Sequence, residues 1–206
     1  MKISRKAVLS LLAAVVLLTS GAVVYTQLLQ PKEIVVLQTS MGTIEIELDR
    51  QRAPATVANF EQYVKDGFYD GTIIHRVTSS GIQVIQGGGF TANSTMKTTR
   101  AAIKIESNNG LSNTAGTIAM ARTSDPNSAT SQFYINVADN TQLDYTSASN
   151  PGYAVFGRVV AGMNVVTSIS KVQVGTHMVN FPGYGDYPFD DWPLQDIVIV
   201  HAYIKP

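Results

Sequence analysis

Short apolar runs separated by turn residues dominate the chain after residue 33, a pattern typical of β-strands. Residues Thr43–Asp49 alternate between apolar and polar positions, which indicates a strand with one buried face. Together with Ile34–Ser40, this run flanks Met41 and Gly42 and predicts a hairpin. Further strand-like runs lie within Ile73–Phe90, which holds two, and at Gly116–Ala121, Gln132–Val137, Tyr153–Val160 and Ile197–Tyr203.

Two segments instead predict helices. Pro54 suits a first helical turn, where its missing N–H costs little, and Gly67 suits the end of that helix. Between them the apolar stripe comprises Val57, Phe60, Tyr63 and Val64. Residues Met163–Ser170 predict a second, short helix. About eight strands, two helices and no βαβ alternation favour a mainly β fold, an antiparallel barrel, over an α/β fold.

Three stretches predict loops. Residues Thr91–Asn113 are polar and turn-rich, with one short apolar patch, and indicate a long surface excursion. Residues Arg122–Ser131 are small and polar and connect two strand-like runs. The segment Val172–Asp196 is rich in proline and glycine and also contains Trp192, which predicts a long ordered loop.

The first 30 residues have the character of a targeting segment. Lys2, Arg5 and Lys6 precede an uncharged, mostly apolar run over residues 7–29. This run exceeds the roughly 7 to 15 residues of a signal-peptide core and approaches the roughly 20 that span a bilayer, so a cleaved signal peptide and an uncleaved anchor both stay open. A buried soluble helix is disfavoured because the run is apolar on all sides. We expect residues 1–30 to direct a single domain, residues 31–206, across a membrane.

Composition excludes several classes of function. The chain has no cysteine, which excludes disulfides, thiolate nucleophiles and zinc–thiolate sites. Without the three basic residues of the targeting segment, the chain has 12 basic and 15 acidic residues, which give a formal net charge of −3. This charge does not indicate nucleic-acid binding. His75, His177 and His201 lack metal-ligand spacing, and Gly87–Gly89 are not followed by the residues of a phosphate-binding loop, so we predict no metal and no cofactor.

One arginine stands out among the strand-like runs. Arg76 lies between His75 and Val77 in a run otherwise suited to a core, and burying a guanidinium without partners is costly. It is therefore either a positioned hydrogen-bond donor or an arginine satisfied at a barrel edge. Gln86, on the next strand, is a candidate to hold it.

Five motifs carry a resemblance to a known family. They are HRV with QGGGF, GTIAMAR, DPNSATSQFYINVADN, LD, and GYAVFGRVVAGMNVV. In this order and spacing they resemble the cyclophilin family of peptidyl-prolyl isomerases, especially the bacterial exported type, over roughly Glu33–Pro206. The resemblance implies a closed eight-stranded antiparallel β-barrel capped by two α-helices, with a substrate groove on the outside of one barrel face.

The same resemblance implies the function and its setting. We expect acceleration of X–Pro bond rotation in unfolded or partly folded exported proteins. We expect a monomer in the periplasm, soluble after cleavage or anchored to the inner membrane through residues 7–29. The alternative is a holdase module that grips proline-containing segments with little or no turnover.

By position, Arg76 resembles the catalytic arginine of the family and Gln86 the glutamine that orients it. Ala121, Arg122 and Thr123 match the stretch whose backbone pairs with the substrate. The full set of substrate-binding residues expected is His75, Gln83, Val84, Gln86, Ala121, Arg122, Gln132, Tyr134, Gln142, Leu143 and Tyr153.

Three positions depart from the family pattern. The loop after Val77 is about two residues longer than usual and puts Gln83 where a pocket phenylalanine is typical, unless Ile82 takes its place. Tyr134 replaces a phenylalanine, so its hydroxyl needs a partner or water. Gln142 stands where tryptophan or phenylalanine is common, which predicts weak binding of cyclosporin.

Overall fold

The structure is a computed structural model that describes residues 33–181 and 185–206. The predictions for residues 1–30 therefore lie outside the described residues. The strands are β1 (Ile34–Thr39), β2 (Gly42–Leu48), β3 (Thr72–Thr78), β4 (Val84–Thr91), β5 (Thr117–Met120), β6 (Phe133–Asn136), β7 (Val155–Ala161), β8 (Val174–Phe181), β9 (Gly185–Pro193) and β10 (Ile197–Ile204). The helices are α1 (Pro54–Lys65) and α2 (Met163–Ile169), with one 3₁₀ turn at Thr141–Leu143.

Eight of these strands close into an antiparallel barrel, which confirms the predicted fold class. Their order around the barrel is β1-β10-β3-β4-β6-β5-β7-β2. The predicted hairpin at Met41 and Gly42 joins β1 to β2, with Thr39 paired to Gly42. Closure pairs each barrel strand on both sides, so the outer surface can present side chains from several strands in fixed register.

Helix α1 packs its apolar stripe into the barrel core, as the spacing predicts. Phe60 is fully buried, and its ring centroid lies 5.2 Å from that of Tyr69, 5.6 Å from Phe133 and 5.1 Å from Phe156. Tilted and edge-on ring pairs at these separations add to the free energy gained by burying the rings. The helix thus fixes the inner faces of strands whose outer faces carry the candidate site.

The N-terminus of α1 obtains its cap from a distant residue. Ala53 precedes the helix and has no side chain to cap it. Glu106, in the Thr91–Asn113 excursion, accepts hydrogen bonds from the backbone N–H groups of Ala55 at 3.1 Å and Thr56 at 2.8 Å. The Thr56 hydroxyl donates a third bond, at 2.7 Å. A carboxylate here satisfies free N–H groups and complements the helix dipole, so the polar excursion has a structural role.

The segment Val172–Asp196 corrects a prediction, because most of it is a two-stranded ribbon. Strands β8 and β9 pair antiparallel with each other and lie outside the barrel sheet. Glycine and Pro188 within the segment obscured the strand signal, since both residues usually weaken strands. A lone hairpin is marginal in water, and this one packs on the barrel. The ring centroid of Trp192 lies 5.6 Å from that of His75 on β3 and 5.5 Å from that of Phe90 on β4.

Within residues 33–181 and 185–206, neither helix has the length and hydrophobicity required to span a bilayer.

The distant cap on α1 gives a stability prediction. Glu106→Ala removes the acceptor for three hydrogen bonds, and we expect the free energy of unfolding to fall by about 1–2 kcal/mol, as for loss of an N-cap. Urea unfolding monitored by Trp192 fluorescence measures this change. Lys104→Ala, at an exposed position of the same excursion, is the control and should match the wild type. Equal stability of all three proteins would contradict the assigned role of Glu106.

Candidate functional site

The candidate site is built on one row of residues that crosses several barrel strands. Arg76 on β3 pairs with Gln86 on β4, Gln86 pairs with Tyr134 on β6, and Tyr134 pairs with Ala119 on β5. Paired residues in neighbouring antiparallel strands point to the same side of the sheet. The register therefore brings an arginine, an amide and a phenol side by side on one barrel face.

A chain of polar contacts holds the arginine side of this row. Arg76 Nη1 lies 3.5 Å from Gln86 Oε1, and Gln86 Nε2 donates to Gln132 Oε1 at 3.0 Å. Gly89 leaves space for the side chain of Gln132, because a Cβ atom at position 89 would lie only 2.5 Å from Gln132 Nε2. Gln132 therefore supports the site by fixing Gln86.

An open groove of about 320 Å³ runs along the row. Its lining includes eight of the residues expected from the sequence: Arg76, Val84, Gln86, Ala121, Arg122, Tyr134, Leu143 and Tyr153. Ile82 and Phe189 complete the lining. The groove thus places two arginines, Arg76 and Arg122, beside an apolar floor formed by a cluster that includes Val84 and Tyr134.

The longer loop after β3 changes which residue faces the groove. Ile82 lines the groove, whereas Gln83 does not. The backbone of Gln83 is fixed by Asn140, whose Oδ1 accepts from Gln83 N at 3.0 Å and whose Nδ2 donates to Gln83 O at 3.0 Å. An apolar residue consequently occupies the wall for which the sequence suggested an amide.

The phenol of Tyr134 has the partner that its burial requires. Its hydroxyl donates to Asn113 Oδ1 at 2.7 Å, and the residue is 4% exposed. Burial raises the pKa of Tyr134 well above its ordinary value, so the phenol stays neutral. The hydroxyl is thereby turned into the protein, and the ring is left as the groove floor.

A partly buried polar network extends from the Tyr134 hydroxyl. Asp144 Oδ1 accepts from Asn113 N at 2.7 Å and from Asn113 Nδ2 at 2.9 Å, and Asp144 Oδ2 accepts from the Ser112 hydroxyl. Burial alone would raise the pKa of Asp144, but these hydrogen bonds outweigh it and hold the pKa below its ordinary value. Asp144 therefore fixes Asn113, and Asn113 fixes Tyr134.

Arg122 is held by contacts that differ from those of Arg76. Its Nε and Nη2 donate to the carbonyl oxygen of Gly152 at 3.0 and 2.9 Å, and its guanidinium lies 4.5 Å from the ring centroid of Tyr153. These contacts hold Arg122 in place as part of the groove wall. Arg76 has fewer contacts and is the freer donor of the two.

Three further residues expected at the groove do not line it: His75, Gln142, and Gln132, which contacts Gln86 instead. His75 is 1% exposed and packs against Phe90 and Trp192, with ring centroids 4.8 and 5.6 Å away, because the ribbon covers this part of β3. Burial, with a further contribution from the charge on Arg76, lowers the pKa of His75 to about 3, so the ring is neutral. Gln142 is exposed in the 3₁₀ turn before Leu143 and is not part of the lining.

The sequence did not reveal two residues that the ribbon brings to the site. Phe189 on β9 lines the groove, and Asp191 Oδ2 lies 3.5 Å from Arg76 Nε. No motif marks either residue, since their proximity to β3 depends on the ribbon folding back on the barrel. Across the described parts of the chain, no cluster of three or more histidine, aspartate or glutamate side chains could hold a metal ion.

Comparisons with known proteins agree with this architecture. Residues 34–204 match the family model described as cyclophilin type peptidyl-prolyl cis-trans isomerase/CLD. A peptidyl-prolyl cis-trans isomerase of Acinetobacter baylyi is 50% identical over 169 residues, which cover 82% of this chain and 84% of the relative. Peptidyl-prolyl cis-trans isomerase B of Escherichia coli is 44% identical over 167 residues, covering 80% of this chain and 95% of the relative.

Solved structures share the fold. A cyclophilin type peptidyl-prolyl cis-trans isomerase from Cryptosporidium parvum, crystallised in the presence of the dipeptide Ala-Pro, superposes with a TM-score of 0.65. The two are 23% identical, and the match covers 84% of this chain and 99% of that one. At this identity the likeness concerns the fold alone.

The network under Tyr134 predicts a dependence of stability on pH. Because the pKa of Asp144 is lower in the folded state than the roughly 3.9 of an unfolded aspartate, its stabilisation is complete above about pH 4 and is lost as the pH falls through the folded-state pKa. We expect Asp144→Asn to have a lower melting temperature than the wild type at pH 7. At pH 3 the difference in melting temperature between the two proteins should be smaller, because Asp144 of the wild type is then partly protonated. A difference that stays the same at both pH values would contradict this role.

Proposed function

Because the chain belongs to the cyclophilin-type peptidyl-prolyl cis-trans isomerases, we propose that Arg76 is the residue that lowers its barrier to X–Pro rotation. The observation that carries this proposal is the single register row that sets the Arg76 guanidinium beside an apolar floor containing Tyr134. The substrate would lie in the groove with its proline ring against Val84, Tyr134 and Leu143. The Arg76 guanidinium would lie next to the rotating X–Pro bond.

The chemistry of amide rotation explains why one donor suffices. The X–Pro bond faces a barrier of about 18–20 kcal/mol because the amide is conjugated. When the amide twists, the proline nitrogen regains a lone pair that the planar ground state lacks. An N–H of Arg76 can donate to that lone pair only in the twisted state, so its hydrogen bond stabilises the transition state selectively.

The apolar floor contributes through solvation. A twisted amide is less polar than a planar one, so a groove floor of Val84, Tyr134 and Leu143 favours the twisted state over the solvated ground state. The Tyr134 hydroxyl leaves this floor apolar because it is bound to Asn113. The reaction makes and breaks no covalent bond and transfers no proton, so these residues need only to bind, orient and donate.

Removal of the donor tests this mechanism. We expect Arg76→Ala to lower kcat/KM for a proline-containing peptide by about 100-fold or more, the size of effect seen when one transition-state donor is deleted. Proline-limited refolding of a test protein should slow in parallel. Arg158→Ala is the matched control, since Arg158 is an exposed arginine on β7 that pairs with Glu47. Activity of Arg76→Ala equal to that of the control would contradict the assignment.

We also propose that the enzyme assists proteins that fold after export. The support is the sequence of residues 1–30, in which Lys2, Arg5 and Lys6 precede the apolar run. This segment would deliver residues 31–206 across the inner membrane into the periplasm. Its clients would be unfolded or partly folded exported chains with X–Pro bonds.

The export proposal has its own test. Two versions are expressed in a Gram-negative host, the full chain and a chain that lacks residues 1–30. We expect protease added to intact spheroplasts to digest the full chain and to leave the shortened chain protected. Mass spectrometry of the recovered protein distinguishes a cleaved signal peptide from a retained anchor. Protection of the full chain inside spheroplasts would contradict export.

A further inference from the structure

The ribbon formed by β8 and β9 supplies a contact to Arg76 that the barrel does not. Asp191 Oδ2 on β9 lies 3.5 Å from Arg76 Nε, and Gln86 Oε1 on β4 lies 3.5 Å from Arg76 Nη1. Two elements therefore contact two different nitrogens of one guanidinium. Within residues 33–181 and 185–206, Nη2 has neither a hydrogen bond nor an ion pair, so it is available to donate to a substrate.

We propose that Asp191 is a positioning residue that holds Arg76 in the orientation required for donation to the proline nitrogen. This inference rests on the function proposed for Arg76. Asp191 touches neither the substrate nor the rotating bond in this proposal. It acts by restricting where the guanidinium points.

The barrel contact alone leaves the guanidinium loosely held. A separation of 3.5 Å between Arg76 Nη1 and Gln86 Oε1 is at the outer limit of a hydrogen bond, and the side chain of Arg76 is 42% exposed. An arginine side chain has many rotamers, and each misdirected one removes the donor from the reacting nitrogen. A carboxylate at Nε restricts rotation about the last bonds of the side chain, because the guanidinium is planar.

The position of Asp191 is itself fixed by neighbouring aromatic residues. Trp192, the next residue, is 4% exposed, stacks on His177 with ring centroids 4.6 Å apart, and lies 5.6 Å from His75. His75 directly precedes Arg76 in β3. The contact between Trp192 and the buried His75 thus anchors the ribbon on the strand segment that carries Arg76. Phe189, on the same ribbon strand as Asp191, lines the groove.

The test compares three single variants in the full chain. Asp191→Asn keeps the shape of the side chain and removes its charge, and we expect kcat for a proline-containing peptide to fall about two- to fivefold with little change in KM, as for loss of a partly exposed ion pair. Asp191→Glu keeps the carboxylate and is expected to retain more of the wild-type kcat. Asp190→Asn is the matched control. Asp190 Oδ1 accepts a hydrogen bond from the Thr176 hydroxyl within the ribbon at 2.9 Å and makes no contact with Arg76.

A second arm uses the Arg76→Ala background. If Asp191 acts only through Arg76, adding Asp191→Asn to Arg76→Ala lowers kcat no further, and the melting temperatures of Asp191→Asn and Asp190→Asn agree. Wild-type kcat in Asp191→Asn, an equal loss in Asp190→Asn, or a further loss in the double variant would each overturn the inference. An active Arg76→Ala enzyme would instead refute the proposed function, so the two failures are distinguishable.

Discussion

The site depends on the register between β3, β4 and β6. A shift of one residue in any of these strands would turn Arg76, Gln86 or Tyr134 to the other face of the sheet, since side chains alternate with a period of two. Closure of the barrel and the packing of Phe60 against Phe133 hold that register from the inside. The outer row can then be polar and partly exposed without losing its alignment.

A partly buried polar network around Tyr134 and Gln83 makes the same register specific. Asp144 fixes Asn113, which accepts the Tyr134 hydroxyl, and Asn140 fixes the backbone of Gln83. Such a network is costly if any member lacks a partner and stabilises one arrangement when every member is satisfied. It explains how the ring of Tyr134 lines the groove while its hydroxyl is bound to Asn113. The groove therefore combines a rigid floor with a donor, Arg76, that the barrel alone holds only loosely.

Much of the fold and most of the groove could be predicted from local pattern. Alternation over Thr43–Asp49 marked a barrel strand, and the apolar stripe containing Phe60 marked α1. The position of Arg76 in an otherwise apolar run left two interpretations open, and only the five motifs together indicated a site. The residues that local pattern left open or placed differently have environments set by distant contacts. His75 is buried by Trp192 from the ribbon, and Ile82, the alternative to Gln83, lines the groove while Asn140 holds the backbone of Gln83.

Periodicity and motifs within short segments were sufficient to predict the eight barrel strands, the two helices, the family resemblance and the candidate residues Arg76, Gln86 and Tyr134. They did not predict the ribbon strands β8 and β9. Three contacts became visible only in the folded chain: Glu106 caps α1, Phe189 lines the groove and Asp191 lies beside Arg76. Each of these contacts joins residues that are far apart in the chain. Their formation depends on how the ribbon and the long excursion pack on the barrel, and no local pattern encodes that packing.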